Sequence, residues 1–233
     1  MFKDESAFRN FILQKLQDEG YKLIGSDIAI HSRKRVDLLL KKEGKITAIE
    51  VKLRDRMGIV SDITKLSRLR FLPDVDFFFV AAPKINLQED ILGFSKKMGI
   101  GVFGVTEQAI ELLIKSEEIS PASLFYSSAS VPNIVGPGEN FEIRISIKNQ
   151  GGKMARNVEI MYMPAPPFRV PKGEKNHKFI KGLMPTKEET ITFKIRVEDD
   201  AETGNYVLYS RRTAEGLSPS DSLYNIEVKS LQK

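Results

Sequence analysis

Eight residues, Val75 to Ala82 (VDFFFVAA), form an almost unbroken apolar run. A strand whose residues alternate between polar and apolar can lie with one face in water, whereas an apolar run has to be covered on both faces. The run therefore predicts a strand in the middle of a layered sheet. Further along, the texture reverses. Phe141, Ile143, Ile145 and Ile147 alternate with Glu142, Arg144, Ser146 and Lys148, a period of two that predicts a strand with one buried face. Two kinds of strand in 233 residues point to two domains, each large enough for its own core.

In the first half, Phe8, Ile12 and Leu16 recur at one-turn spacing before Gly20, which predicts a helix over 4–19. A strand over 21–30 follows, then a hairpin of 36–41 and 46–53 around a Glu43-Gly44 turn. A second helix is expected to start at Ser61 or Asp62 as N-cap, bury Ile63, Leu66 and Leu69, and stop before Pro73. After the apolar strand come a helix over 88–98, a strand over 100–105 and a helix over 107–115. The order αβββαβαβα indicates an α/β domain. Beyond it, strands at 141–148, 157–163, 190–197, 206–210 and 223–228, divided by Gly- and Pro-rich turns, suggest a two-sheet sandwich.

With a two-residue turn at Glu43-Gly44, Asp37 falls opposite Glu50 and their β-carbons lie about 5 Å apart. Lys52 shares that face, because alternate residues of a strand point the same way. Facing carboxylates repel and add nothing to a core, so their pairing asks for a cation such as magnesium, with manganese as a substitute. Magnesium there would polarise a phosphate oxygen and activate water, with Lys52 orienting that water or offsetting charge on the phosphorane. Glu5 points along the apolar stripe of the first helix, where a carboxylate needs a partner, and is a candidate further ligand. The same register pairs Arg35 with Lys52, Arg33 with Arg54 and His31 with Arg56. A phosphate backbone along this basic row would relieve its repulsion, and Lys65 and Arg68 on the second helix would extend it. A solvated hairpin end would carry the same charges.

The chain has no cysteine and two histidines, His31 and His177, which excludes disulfides, thiolate nucleophiles and multi-histidine metal sites. A net charge of +5 and a pI near 9.2 favour polyanionic partners. The opening MFKDESAFRN is acidic where a signal peptide would be basic, and no segment approaches membrane-spanning length, so the expectation is a cytoplasmic protein without membrane contact. Phe77-Phe78-Phe79 reads as core, not as a base-stacking platform. Tyr162, Phe168 and the Pro164 to Pro171 segment read either as an exposed ligand loop or as a crossover at the sandwich edge.

VDLLL, a turn and AIEVK, after an amphipathic helix bearing a glutamate, resemble the PD-(D/E)xK nuclease superfamily, which includes restriction endonucleases and archaeal Holliday-junction resolvases. The resemblance covers about residues 4 to 105, with Val36 in place of the motif's proline. It implies a restriction-endonuclease-like α/β domain with an αβββαβ core and mixed sheet, Asp37, Glu50 and Lys52 as signature residues, Glu5 as the helix glutamate, and the backbone carbonyl of Val51 as an extra metal ligand. Gly136-Pro-Gly138-Glu139, IRISIKNQGG, Ala155-Arg156-Asn157-Val158 and GNYVLY resemble CARDB- and NEW3-type immunoglobulin-like domains, which implies an interaction module. The expected layout is a nuclease-like domain over 1–120, a linker over 121–130 and a sandwich over 131–233. The function these resemblances imply is a magnesium-dependent endodeoxyribonuclease acting on branched or linear duplex DNA, by analogy as a homodimer, with a protein partner on the sandwich. The alternatives are a catalytically degenerate DNA-binding scaffold that recruits partners through the sandwich, and a surface or adhesion component.

Overall fold

Asp4 caps the first helix, α1 (Glu5–Asp18), by accepting a hydrogen bond from the Ala7 N–H at 2.8 Å, and Phe8, Ile12 and Leu16 form its buried stripe. The computed structural model, which describes residues 2–31 and 34–229, continues with β1 (Lys22–His31), β2 (Lys34–Lys42), β3 (Lys45–Val51), α2 (Arg56–Leu69), β4 (Phe77–Pro83), α3 (Glu89–Met98), β5 (Gly101–Val105) and β6 (Ile110–Ile114). These strands form one sheet in the order β1-β2-β3-β4-β5-β6. β3, β4 and β5 run parallel, and the outer pairs are antiparallel.

β4 is the apolar run, and it lies between two cores. Phe79 and Ala81 pack with the α1 stripe on one face, while Phe78, Val80 and Ala82 pack with Ile59, Ile63 and Leu66 of α2 and Ile91 of α3 on the other. Gly101 pairs with Phe79 across the β4–β5 ladder, where a β-carbon would meet the phenyl ring at 2.1 Å. That approach explains the glycine. The β2–β3 turn has Glu43 and Gly44 at φ of 52° and 82°, as a two-residue hairpin loop requires, and sets Lys42 against Lys45 and Leu38 against Ile49.

Strands β7 (Leu124–Ser130), β8 (Ile134–Val135), β9 (Asn140–Asn149), β10 (Ala155–Met163), β11 (Phe168–Arg169), β12 (His177–Leu183), β13 (Glu188–Val197), β14 (Gly204–Ala214) and β15 (Leu217–Val228) build two further sheets, β12-β10-β14-β15-β8 and β11-β13-β9-β7. Their inner faces share one core, so this part is a β-sandwich. The chain divides at Ser120/Pro121 into two units.

The expected fold class requires correction. About 50% of the chain is strand and 18% helix, and β-sheet dominates, so the α/β restriction-endonuclease-like core is not what the structure shows. One reason lies at 107–115. Ile110, Leu113 and Ile114 suit a helix by spacing, but the segment pairs with β5 as strand β6. Leu124–Ser130, expected as linker, is strand β7. α2 begins six residues before its expected start, capped by Asp55 and not by Ser61 or Asp62. Tyr162 and Phe168 are 0% and 2% exposed and belong to the sandwich core, not to a ligand loop.

Asn149, fully buried, fastens one end of the sandwich. Its amide donates to the carbonyls of Lys153 (2.8 Å) and Leu183 (2.9 Å), and its Oδ1 accepts from the N–H groups of Ser123 (3.2 Å) and Gly151 (3.0 Å). Each orphaned buried polar group costs about 1–3 kcal/mol. Asn149→Ala is expected to lower the unfolding free energy of the full chain by at least about 3 kcal/mol, and Asn149→Asp, which offers acceptors to two carbonyls, should not restore it. Urea denaturation followed by circular dichroism checks both.

Candidate active site

The β2–β3 ladder runs to Leu38 and Ile49, which brings Asp37 and Glu50 to the next position on the two strands. Main-chain pairing gives way there to a side chain: the Val51 N–H donates to Asp37 Oδ2 at 2.7 Å. The other edge of β3 is held by β4, with Glu50 opposite Val80 and the Lys52 N–H donating to the Ala81 carbonyl at 2.9 Å. Asp37 is therefore tied to the same strand that carries Glu50 and Lys52. Glu50 is 5% exposed, a depth at which a carboxylate needs compensation.

Helix α2 provides it. Lys65 Nζ stands 2.5 Å from Glu50 Oε1, and one turn earlier Asp62 Oδ2 stands 3.6 Å from Lys52 Nζ. Glu50 on the strand and Lys52 just past its end thus form reciprocal pairs with two residues of the helix. The cap explains how Asp62 is available, since Asp55 starts the helix. Gly58 explains how Lys52 gets there: a β-carbon on it would lie 3.2 Å from Lys52 Cδ and 3.3 Å from Cε. Neither Asp62 nor Gly58 was expected at the site. A usable signal was that Asp62 and Lys65 flank the Ile59–Ile63–Leu66 stripe.

Burial pushes the Glu50 carboxyl up from the usual 4.5 to about 7; the Lys65 hydrogen bond opposes this, and the charges of Asp37 and Asp62 add to it. Burial likewise raises Asp62, against the pull of Lys52 and Lys65, and its Oδ2 is buried without a hydrogen-bond partner among the described residues. For Lys52, burial alone would lower the ammonium pKa, but Asp62, Glu5 and Asp37 outweigh it and hold the group above its usual value. Lys52 is therefore a cation.

Glu5 is exposed at the first turn of α1 and not on its buried stripe. It nevertheless lines a cavity of about 130 Å³ with Ser6, Arg9, Asp37 and Val51. Oxygen donors are what a hard cation takes, and magnesium needs only one or two protein carboxylates beside its waters. Asp37 and Glu5 line this cavity, whereas Glu50 faces Lys65, and among the described residues no group of three or more His, Cys, Asp or Glu side chains could hold a metal.

The basic row does not form as the sequence suggests. β3 ends at Val51, Arg54 lies exposed in the following bend, and Arg56 opens α2 with an ion pair to Asp90. Arg35 pairs with Asp27 at 2.9 Å. Lys65 faces Glu50, Arg68 is exposed on α2, and Arg33 lies outside the described residues.

No family model and no curated protein matches the chain. Similar solved structures include alpha-2-macroglobulin of Escherichia coli from domain MG7 to the C-terminus, at 12% identity and TM-score 0.38 over 47% of this chain and 17% of that one. A mutant alpha-2-macroglobulin of Salmonella aligns at 11% identity and TM-score 0.39 over 52% and 8%. The CARDB domain of a Pyrococcus furiosus protein, in complex with di-metal ions, aligns at 15% identity and TM-score 0.35 over 46% and 89%. The chain thus spans 17% and 8% of the two macroglobulin structures. At TM-scores this low none of them decides fold or function, and the sandwich assignment stands on the strand order above.

A carboxyl raised in the folded state binds its proton more tightly there than in the unfolded chain, so its contribution to stability falls as pH rises from 4.5 to about 7. Glu50→Gln removes that term. The variant is expected to match the parent at pH 5 and, without divalent cation, to exceed it by about 2 kcal/mol at pH 7.5, as measured by urea denaturation at the two pH values.

Proposed function

We propose that the chain is a magnesium-dependent endodeoxyribonuclease that hydrolyses a DNA phosphodiester at Asp37, Glu50 and Lys52. The observation carrying this reading is that Asp37 is tied through the Val51 N–H to the strand end that bears Glu50 and Lys52, residues that match the Asp…Glu-x-Lys signature. Magnesium, or manganese in its place, supplies Lewis-acid polarisation of a phosphate oxygen and a more acidic bound water. Asp37 and Glu50 would hold it, with the Val51 carbonyl and, through water, Glu5 as further ligands. Lys52 sets its charge against the negative charge that builds on the phosphoryl oxygens as water adds to phosphorus and the ester P–O bond breaks, the leaving oxygen taking up a proton. Asp62 keeps the ammonium in place. Lys65 neutralises Glu50 in the absence of another cation and, with a third of its side chain exposed, is free to turn outward when Glu50 acquires one.

Arg54 and Arg68 meet the phosphate backbone directly. Arg35 and Arg56 do so by exchanging exposed carboxylate partners, a small loss because such pairs contribute little. The second unit serves as an interaction module. On the outer face of its five-stranded sheet, Met163, Tyr209 and Leu223 stand in one cross-strand row, with Met163 and Leu223 exposed, an apolar surface suited to a protein partner.

The full chain with magnesium should cut at least one of linear, branched or single-stranded DNA, and Asp37→Ala or Glu50→Gln should slow cutting about a hundredfold or more. Unchanged cleavage by both variants refutes the site, and DNA binding without cleavage leaves the scaffolding alternative. Lys65→Met, which removes the internal cation from Glu50, should bind manganese several-fold more tightly in calorimetry. Equal or weaker binding would contradict the role given to Lys65.

A further inference from the structure

A second cavity, of about 460 Å³, falls within the roughly 300–1,000 Å³ of small-molecule sites, and the hydrolysis described above makes no use of it. It opens where the parallel strands end: Leu53 and Arg54 follow β3, Ile85 and Asn86 follow β4, and Thr106 follows β5. Loops leaving parallel strands at the same end splay apart, and the crevice between them is where ligands of such sheets concentrate. The cavity also adjoins the carboxylate site along two stretches of chain. Val51 and Glu5 line the smaller cavity, while Leu53 and Phe2 line the larger. Two residues separate Leu53 from Val51 and three separate Phe2 from Glu5, at most about 7 and about 11 Å of extended chain, the shorter being the scale of one nucleotide step.

Its walls include the apolar residues Phe2, Leu53, Pro83 and Val105, with Ile85, 88% exposed, at its open edge. Several polar groups of the lining are already engaged. Asn86 Nδ2 donates to the Leu53 carbonyl at 3.4 Å, Lys84 pairs with Glu111 at 2.5 Å, Thr106 Oγ1 accepts from the Ala109 N–H at 3.1 Å, Asp55 Oδ1 accepts from the Met57 N–H at 3.0 Å, and Glu107, the second carboxylate of the lining, is engaged as well. Arg54, at the rim, is exposed and has no hydrogen-bond or ion-pair partner among the described residues. An apolar slot with one uncommitted guanidinium at its mouth is complementary to a ligand with a flat, weakly polar body and an anionic link.

Resting on the hydrolase reading, we propose that this cavity receives the base of an unpaired nucleotide adjoining the scissile phosphate, while Arg54 holds the phosphate on its far side. A base stacked in continuous duplex cannot enter without being extruded. The substrate class that follows is DNA with an unpaired nucleotide, single-stranded or at a branch. Since the walls carry few uncommitted donors and acceptors, the slot accepts any base.

The test uses the full chain carrying Glu50→Gln, so that DNA is bound and not cut. Short fluorescein-labelled single-stranded oligonucleotides, each with one position replaced by an abasic sugar, are titrated by fluorescence anisotropy. Abasic replacement at one position should weaken binding about tenfold. Ile85→Asp, at a position already in solvent, should weaken the intact oligonucleotide about as much and leave the abasic one unchanged, whereas Arg54→Ala should weaken both. Equal affinity at every abasic position overturns the proposal, as does an Ile85→Asp loss that is the same with and without the base. The parent reading fails separately: if the unmodified chain with magnesium cleaves nothing while one abasic position still matters, the base slot stands without hydrolysis, and if the chain cleaves while the abasic series is flat, only the slot is lost.

Discussion

Burying Glu50 under α2 is the condition on which the first unit is arranged. A carboxylate that deep, beside two others, is unstable unless positive charge reaches it, and the chain meets the demand from the helix that covers it. Lys65 answers Glu50, and Asp62, itself buried, is answered in turn by Lys52. The helix that closes the core on this face is thus also the element that balances the site's charge. Any shift of α2 along its axis would break both pairs together, because they are one turn apart on the same face.

The second unit handles a buried polar group differently. Asn149 is as deep as Glu50, yet all four of its hydrogen-bonding positions are filled by backbone groups from three separate segments. A neutral group matched to fixed backbone partners gives rigidity, whereas a charged group matched to flexible lysines, each about a third exposed, can exchange partners. The contrast separates a neutral clasp held by fixed backbone groups from a charged cluster held by side chains.

Much of the hairpin was legible because it is local. Glu43-Gly44 fixes the turn, and the turn fixes the register as far as Leu38 opposite Ile49, one residue short of Asp37 and Glu50. β4 was legible because a run without polar alternation has few places to go. What could not be read depended on distant partners. The 107–115 segment has apolar residues compatible with either helix or strand, and only pairing with β5 decides. The basic row was extrapolated past the end of β3, where Asp55 at φ 77° turns the chain into α2 and ends the alternation. The same turn hid Asp62, which looked like a cap while Asp55 was doing the capping. In the sandwich, the short strands β8 and β11 and the largely exposed β12 lack the alternation that marked β9.

A β-carbon on Gly58 would press by a few tenths of an ångström on the Lys52 stem and on Asp55 Oδ2 of the α2 cap. The position works as a steric gauge: one methyl group there crowds the lysine and the cap while every formal charge in the quartet stays the same. Position and charge, which mutation of Lys52 itself always alters together, become separable variables at a residue that carries no functional group of its own.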